Sequence, residues 1–453
     1  MPSRLRSGSI PRHTVRIKHG RPEAGGNISR PAHIRCRVLR LLAFTDYVYR
    51  RRDGVVYGER AFALFLAALA ADVEELTIAG RLDPAAGPCH YRMPGSVRFV
   101  ALPHYSSLIH PVAVGSSLLR SVARFWRALD DADRVWLLGP YPHAVGFALL
   151  TLLRRKRLIL GVRQDFPAYV RSRRPARRWM HIAADALEAA WRLLAWRCPV
   201  VVVGDELEHH YRHAPAVLNV AVSLITAADI EAGARAAARS YDGELTALSV
   251  GRIDREKNPM LLADILADLR ASAPRWRLVV CGEGHMVPEL AQKLEQMGLS
   301  DSAELRGYVP IDGGLLELYR TCHVFLHVSM TEGVPQVLFE AFASGLPVAA
   351  TAVGGVATAA GEAALFMEPD DAHAAADALR RIADDPRLRS QLVTAGLARA
   401  RRHTLEVESA RVVAFIAAGD AGGPSVPNAA AAPHRLGDSA ASAPSSPARR
   451  ATG

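Results

Sequence analysis

Short apolar runs alternate with amphipathic stretches from Val38 to Met367. Runs of four to seven apolar residues without polar alternation read as strands buried on both faces. Such strands need helices above and below, so the chain is constrained to a parallel α/β sheet. In the first half the runs are Val38–Phe44, Arg98–Leu102, Arg134–Leu138, Leu158–Val162 and Val200–Val203, with helices over Glu59–Ala71 and Trp179–Trp196. The second half is more regular: Thr246–Val250, Arg277–Cys281, Glu304–Arg306, Val324–Val328, Pro347–Ala350 and Ala364–Met367. Helices there are predicted to start near Asn258, His285, Gly313, Pro335 and Asp371. Two such halves, joined near residues 213–240, predict a pair of Rossmann-like domains facing a central cleft. Ligands in such sheets bind at the carboxyl ends of the strands.

At 453 residues the chain exceeds what one core usually organises. The expected division is 36–220 for a first Rossmann-like domain and 221–400 for a second. A C-terminal helix over 401–418 is expected to return to the first domain. Residues 1–35, rich in Arg, Gly, Pro and Ser, and 419–453, rich in Ala, Pro, Ser and Gly, read as disordered flanks. Half the residues are hydrophobic and 22% are charged, which excludes a fibrous or wholly disordered chain. The five cysteines are scattered, odd in number and never in a CxxC pair, against a disulfide framework or a structural zinc site. Without an apolar h-region or a run of about 20 apolar residues, the expected location is cytoplasmic.

Two constellations sit at predicted strand ends. In Gly251-Arg252-Ile253-Asp254-Arg255-Glu256-Lys257-Asn258, two cations stand in the loop before a helix. A guanidinium and an ammonium there suit a diphosphate; pairing of Arg252 with Asp254 or Glu256 as plain loop structure is the competing reading. In Ser329-Met-Thr-Glu332-Gly333-Val334-Pro335-Gln-Val-Leu-Phe-Glu340, two carboxylates stand eight residues apart across a turn and the following helix. Gly333 permits close backbone approach, and the helix start favours an anion. A helix-terminal acid plus an ordinary surface Glu would account for the same residues.

Together with Gly282-Glu283-Gly284, Leu305-Arg306-Gly307-Tyr308-Val309, Ala343-Ser344-Gly345-Leu346-Pro347-Val348 and Val353-Gly354-Gly355, these segments resemble the GT-B glycosyltransferases of family 4. These are retaining enzymes that include lipopolysaccharide, exopolysaccharide and mannosyl transferases. The resemblance runs from about Leu248 to Phe366. It implies that Arg252 and Lys257 hold the donor diphosphate and that Glu340 bonds the ribose. It places Glu332 on the transferred sugar, the backbone of Gly333, Val334 and Pro335 on sugar or phosphate, and Gly307 and Tyr308 near the base. It further implies no metal and no cofactor beyond the nucleotide-sugar donor, and a saccharide or lipid-linked acceptor in cell-surface polysaccharide synthesis. Two departures stand out: Gly355 is followed by Val356-Ala357-Thr358 instead of Pro-Glu, and Asn219-Val-Ala-Val222 replaces the usual domain junction. A nucleotide-sugar epimerase, another GT-B enzyme or a non-catalytic partner subunit are the alternatives.

In the first half, Asp53–Glu59 with Gly54 and Gly58 is read as a glycine-bearing loop at the cleft or a plain turn. His143 is a catalytic candidate from its place after a strand, and Asp165 an acceptor-site candidate; a lone histidine is more often structural. Asp131-Ala-Asp133 precedes its strand and is read as a helix end rather than a metal-binding DxD. Gly282-Glu-Gly284 lacks the third glycine and the downstream acid of a dinucleotide fingerprint. The net charge of +11 leaves two readings for the arginines between 154 and 178 and the helix with Trp191 and Trp196. One is a peripheral docking face for an anionic membrane, the other a helix packed on its own domain with a solvated Arg face. No aromatic–basic interleaving points to nucleic acid.

Overall fold

The structure is a computed structural model that describes residues 39–87, 89–173 and 176–418. The two expected flanks lie outside the described residues. Within one compact unit the chain builds two sheets. The first contains β1 (Arg40–Arg52), β2 (Val55–Gly58), β3 (Glu75–Asp83), β4 (Tyr91–Arg92), β5 (Val97–Pro103), β6 (Arg134–Gly139), β7 (Arg157–Val162), β8 (Val200–Val202) and β9 (Val217–Asn219). Its parallel part runs β5-β3-β1-β6-β7-β8-β9. The second contains β10 (Leu245–Val250), β11 (Trp276–Cys281), β12 (Ala303–Gly307), β13 (Val324–His327), β14 (Val348–Thr351) and β15 (Ala364–Met367). Its order is β12-β11-β10-β13-β14-β15, parallel throughout.

Both sheets reverse direction between a first and a fourth parallel strand. In the second sheet that switch point lies between β10 and β13, where the loops leaving the two strands diverge and open a crevice. Each sheet is covered on both faces. Leu41, Ala43, Ile78 and Trp136 face one core of the first sheet, and Leu42, Phe44, Val135 and Leu137 face the other. The second sheet divides in the same way between the core of Ala247, Leu278 and Leu326 and that of Leu248, Val279 and Phe325. The helix Leu405–Ala418 buries Val412, Val413 and Ile416 in the core of the first sheet. It starts at Leu405, since Arg401 and Arg402 close the preceding helix.

Three expectations are corrected. The first strand does not end at Phe44: it runs through an irregularity between Thr45 and Val48 and on to Arg52. The glycine-bearing cleft loop, one of the two readings of Asp53–Glu59, gives way to the other: the segment is the turn of a hairpin, β1 returning antiparallel as β2. Asp53 and Gly54 both take positive φ, 51° and 77°, which matches the twist of a two-residue hairpin turn. Strands β3 and β9 went unread. Gly80 interrupts the apolar run of β3, and the Tyr49 ring fills the space its missing side chain leaves.

Another glycine fixes the frame of the second sheet. A Cβ on Gly233, in the helix Ala227–Ala236, would lie 1.8 Å from the Ala343 carbonyl oxygen at the end of the helix Gln336–Ala343. Gly233→Ala is therefore expected to cost about 1–3 kcal/mol through overpacking, read as a lowered midpoint in thermal unfolding.

Candidate functional site

A cavity of about 850 Å³ opens where the carboxyl ends of β10 and β13 face those of β7 and β8. From the second sheet its walls include Arg252, Lys257, Ser329, Glu332 and the segment Gly333-Val334-Pro335. From the first sheet they include Arg163, Asp165, Gly204, Asp205 and Glu206.

The floor is built from the two loops that leave β10 and β13. Lys257 Nζ donates to Glu332 Oε1, an ion pair bridging the two loops. Ser329 Oγ donates to the same oxygen at 2.8 Å, and the Met330 N–H donates to the Glu256 carbonyl at 3.0 Å. His327 Nε2 lies 3.2 Å from Glu332 Oε1, at an angle too poor for a well-formed hydrogen bond. Burial alone would raise the Glu332 carboxyl, but His327 and Lys257 outweigh it and hold it down at about 2. It is thus a carboxylate throughout the neutral range, and its charge offsets that of Lys257.

Arg252 is partly exposed at the cavity edge, where its guanidinium donates to Asp254 and, at 2.6 Å, to Glu256. Asp254 is buried and also accepts from His285 Nδ1 at 2.8 Å. Burial raises its carboxyl less than Arg252 and His285 lower it, so it stays ionised. Arg252 is therefore held at the rim by two acids, one of them fixed in turn by His285.

Glycines set how close these loops come. A Cβ on Gly354 would meet the Glu332 carbonyl oxygen at 2.0 Å, and one on Gly355 the Gly333 oxygen at 2.2 Å. Gly354 also takes φ of 51°, and the Gly355 N–H donates to the Glu332 carbonyl at 3.2 Å. On the other side, a Cβ on Gly282 would sit 1.7 Å from the Gly251 oxygen, and one on Gly284 2.1 Å from the Ile253 oxygen. The Gly282-Glu-Gly284 segment thus lets one loop backbone lie against another, which explains its glycines without a dinucleotide. Although Gly355 lacks the Pro-Glu that follows in relatives, Gly354, Gly355 and Thr358 all line the cavity.

The remaining residues singled out in the sequence stand apart from the cavity wall. Glu340 is buried and accepts from the Tyr319 hydroxyl at 3.0 Å. Burial pushes its carboxyl up to about 7, against the lowering pull of that hydroxyl. Gly307 and Tyr308 end β12, two strands away from β10; the Gly307 carbonyl accepts from the Gly282 N–H at 2.7 Å, and the Tyr308 hydroxyl is bonded to that of Tyr91. His143 is fully buried beside Ser117 Oγ, 3.1 Å away, and stacked on Tyr105. Burial and, less strongly, Arg81 lower it to about 4, so it is neutral at pH 7. Asp131 and Asp133 pair with Arg98 and Arg40. Among the described residues no group of three or more His, Cys, Asp or Glu is placed to hold a metal ion.

Sequence reasoning missed Arg163, Gly204, Asp205, Glu206 and His327. The first four directly follow the predicted strands Leu158–Val162 and Val200–Val203, so the carboxyl-end rule itself was a signal for them. A histidine inside the apolar run Val324–Val328 was the signal for His327.

The buried carboxyl of Glu340 makes stability depend on pH. Its folded-state value of about 7 lies above the ordinary 4.5, so the folded chain binds the extra proton between those values. Stability then falls as pH rises through that window, and the full penalty is present above pH 7. Glu340→Gln is expected to raise the unfolding midpoint of the ligand-free chain at pH 8 and to change it little at pH 4, checked by thermal unfolding across that range.

Residues 232–399 match the family Glycosyl transferases group 1. The D-inositol 3-phosphate glycosyltransferase of Streptomyces avermitilis is 36% identical over 204 residues, covering 42% of this chain and 44% of that protein. The chain thus aligns with less than half the length of that relative. Sucrose-phosphate synthase from Thermosynechococcus elongatus has a similar fold, with a TM-score of 0.61 at 18% identity, covering 83% of this chain and 98% of that one. Anabaena HepE, solved in complex with UDP-glucose, gives a TM-score of 0.59 at 14% identity over 84% of this chain and 100% of that one. Two parallel sheets facing one cavity give the chain the GT-B fold of these structures, and its residues 232–399 match the Glycosyl transferases group 1 family.

Proposed function

We propose that the chain transfers a hexosyl unit from a nucleoside-diphosphate sugar to a hydroxyl of a saccharide or lipid-linked acceptor, with retention of configuration, in cell-surface polysaccharide synthesis. The observation that carries this reading is the Lys257–Glu332 pair, with Arg252 on the same cavity wall, at adjacent strand ends of the switch point. An ammonium and a guanidinium lining one cavity suit a diphosphate, and the paired carboxylate suits sugar hydroxyls. HepE, of the same fold, is solved with UDP-glucose, which supports a nucleotide-sugar donor here.

In this reading Arg252 and Lys257 contact the diphosphate and offset the charge that grows on it as the glycosyl bond breaks. Glu332 orients the sugar while its own charge, held by Lys257 and His327, stays in place. The backbone of Gly333, Val334 and Pro335 lines the sugar and phosphate. The acceptor oxygen bonds to the anomeric carbon as the bond from that carbon to the phosphate oxygen breaks, and the acceptor proton passes to the departing phosphate on the same face. No protein nucleophile and no metal enter the step, since the chain's own cations neutralise the diphosphate. Asp165 and Arg163 face the acceptor from the first sheet. His143, neutral and buried behind that wall, shapes the cleft through Tyr105 and Ser117 and transfers no proton. Cysteines scattered along the chain and never in a CxxC pair fit a cytoplasmic location.

Lys257→Ala is expected to lower turnover by about 10²–10³-fold while circular dichroism shows an unchanged fold. Arg252→Ala should weaken donor binding in calorimetry against a panel of nucleoside-diphosphate sugars. Retained affinity and turnover in both variants would defeat the proposal. Chelation of divalent ions is expected to leave the transfer rate unchanged, and proton NMR of the product should show the donor's anomeric configuration.

A further inference from the structure

Three helices, Pro111–Ala128, Pro142–Leu153 and Arg178–Ala195, precede the neighbouring strands β6, β7 and β8 and pack side by side on one face of the first sheet. Each contributes to the same core, through Phe125, Phe147 and Trp191 among others. A helix with one buried stripe should offer polar residues on its other side. The third helix does so only in part. It buries Met180, Ala184, Trp191 and Ala195, yet its outer side carries Ile182, Ala186, Ala189, Leu193 and Trp196 at spacings of four, three, four and three. Ile182, Leu193 and Trp196 are 71%, 72% and 69% exposed. At 1.5 Å per residue this second apolar stripe is about 21 Å long.

The stripe is widened by its neighbour. Leu149, Leu152 and Leu153 are exposed on the last turn of the helix Pro142–Leu153. Both helices lead into strands that pair side by side in parallel, Leu160 opposite Val200, so their C-terminal ends lie at the same sheet edge. Exposed arginines rim this surface: Arg155 and Arg157 beyond one helix, and Arg178, Arg192 and Arg197 on the other. The two acids of the third helix are engaged with neighbours: Asp185 accepts from Arg171 at 2.6 Å and Glu188 from the Tyr211 hydroxyl at 2.6 Å. At its other end the stripe reaches the cleft rim. The helix Phe166–Arg173 carries Ala168 on the cavity wall, packs against Met180 and Ala184, and exposes Tyr169.

We propose that this face docks the chain on an anionic phospholipid bilayer. Ile182, Leu193 and Trp196 enter the boundary between headgroups and acyl chains, and the rimming arginines meet lipid phosphates. An exposed apolar stripe ringed by cations matches that surface in both polarity and charge. Among the described residues no helix is long and apolar enough to cross a membrane, so the contact is interfacial. Docking of this kind brings the Ala168 side of the cleft toward the bilayer.

The test is co-sedimentation of the full chain with vesicles of phosphatidylcholine alone or mixed with phosphatidylglycerol. Binding is expected only to the mixed vesicles, weakening as salt rises. Ile182→Glu/Leu193→Glu/Trp196→Glu and, separately, Arg192→Glu/Arg197→Glu should each cut it by roughly tenfold or more, with unchanged circular dichroism and unchanged donor affinity. Absence of binding to mixed vesicles, or binding indifferent to both variants, overturns the proposal. So does a concentration-dependent dimer in sedimentation velocity that the Glu variant dissolves, which would assign the face to a second copy of the chain.

Discussion

Two loop backbones press against each other where no side chain fits, and the rest of the site depends on that contact. Gly354 and Gly355 lie against the carbonyls of Glu332 and Gly333, while Gly282 and Gly284 lie against those of Gly251 and Ile253. Both loops bearing the charged residues are therefore held from the side by neighbouring backbone. From these loops Lys257 and Glu332 meet across the switch point. Charge complementarity does the remainder: each ion lowers the burial penalty of the other.

This arrangement also explains why the acids differ in state. Glu332 and Glu340 are both buried, yet one is held at about 2 and the other rises to about 7. The difference is the neighbour. Glu332 faces an ammonium and an imidazole, whereas Glu340 faces a phenol, which donates a hydrogen bond but brings no charge. Two carboxylates eight residues apart in one motif thus meet the same burial with opposite outcomes.

The two halves of the chain serve different demands. The second sheet carries the group 1 match and the dense glycine contacts that hold a highly charged site. The first sheet offers a mixed wall of Arg163, Asp165, Asp205 and Glu206 to the same cavity, and its outer helices turn apolar side chains to the exterior. The same sheet thus turns polar residues to the cavity at its strand ends and apolar side chains to the exterior on its helices.

Much of this was legible in the chain itself. Apolar runs of strand length dictated two parallel sheets, because their residues tolerate water on neither face. Strand-end positions singled out Arg252, Lys257, Glu332 and Gly333, since residues there have no ladder to build and are available for ligand. The hairpin at Asp53-Gly54 was written in its dipeptide and went unread. Other features had no local signature. That Arg252 is held by Asp254 and Glu256, that Glu340 turns to Tyr319 instead of the cavity, and that His143 is sealed behind Tyr105 all depend on which distant elements pack together. Periodicity fixes which face of a helix is apolar, but Ile182, Leu193 and Trp196 lie outside only because Trp191 and its neighbours occupy the sheet. Sequence determined the strands and the charges; tertiary packing decided which charges meet and which apolar side chains are left without a partner.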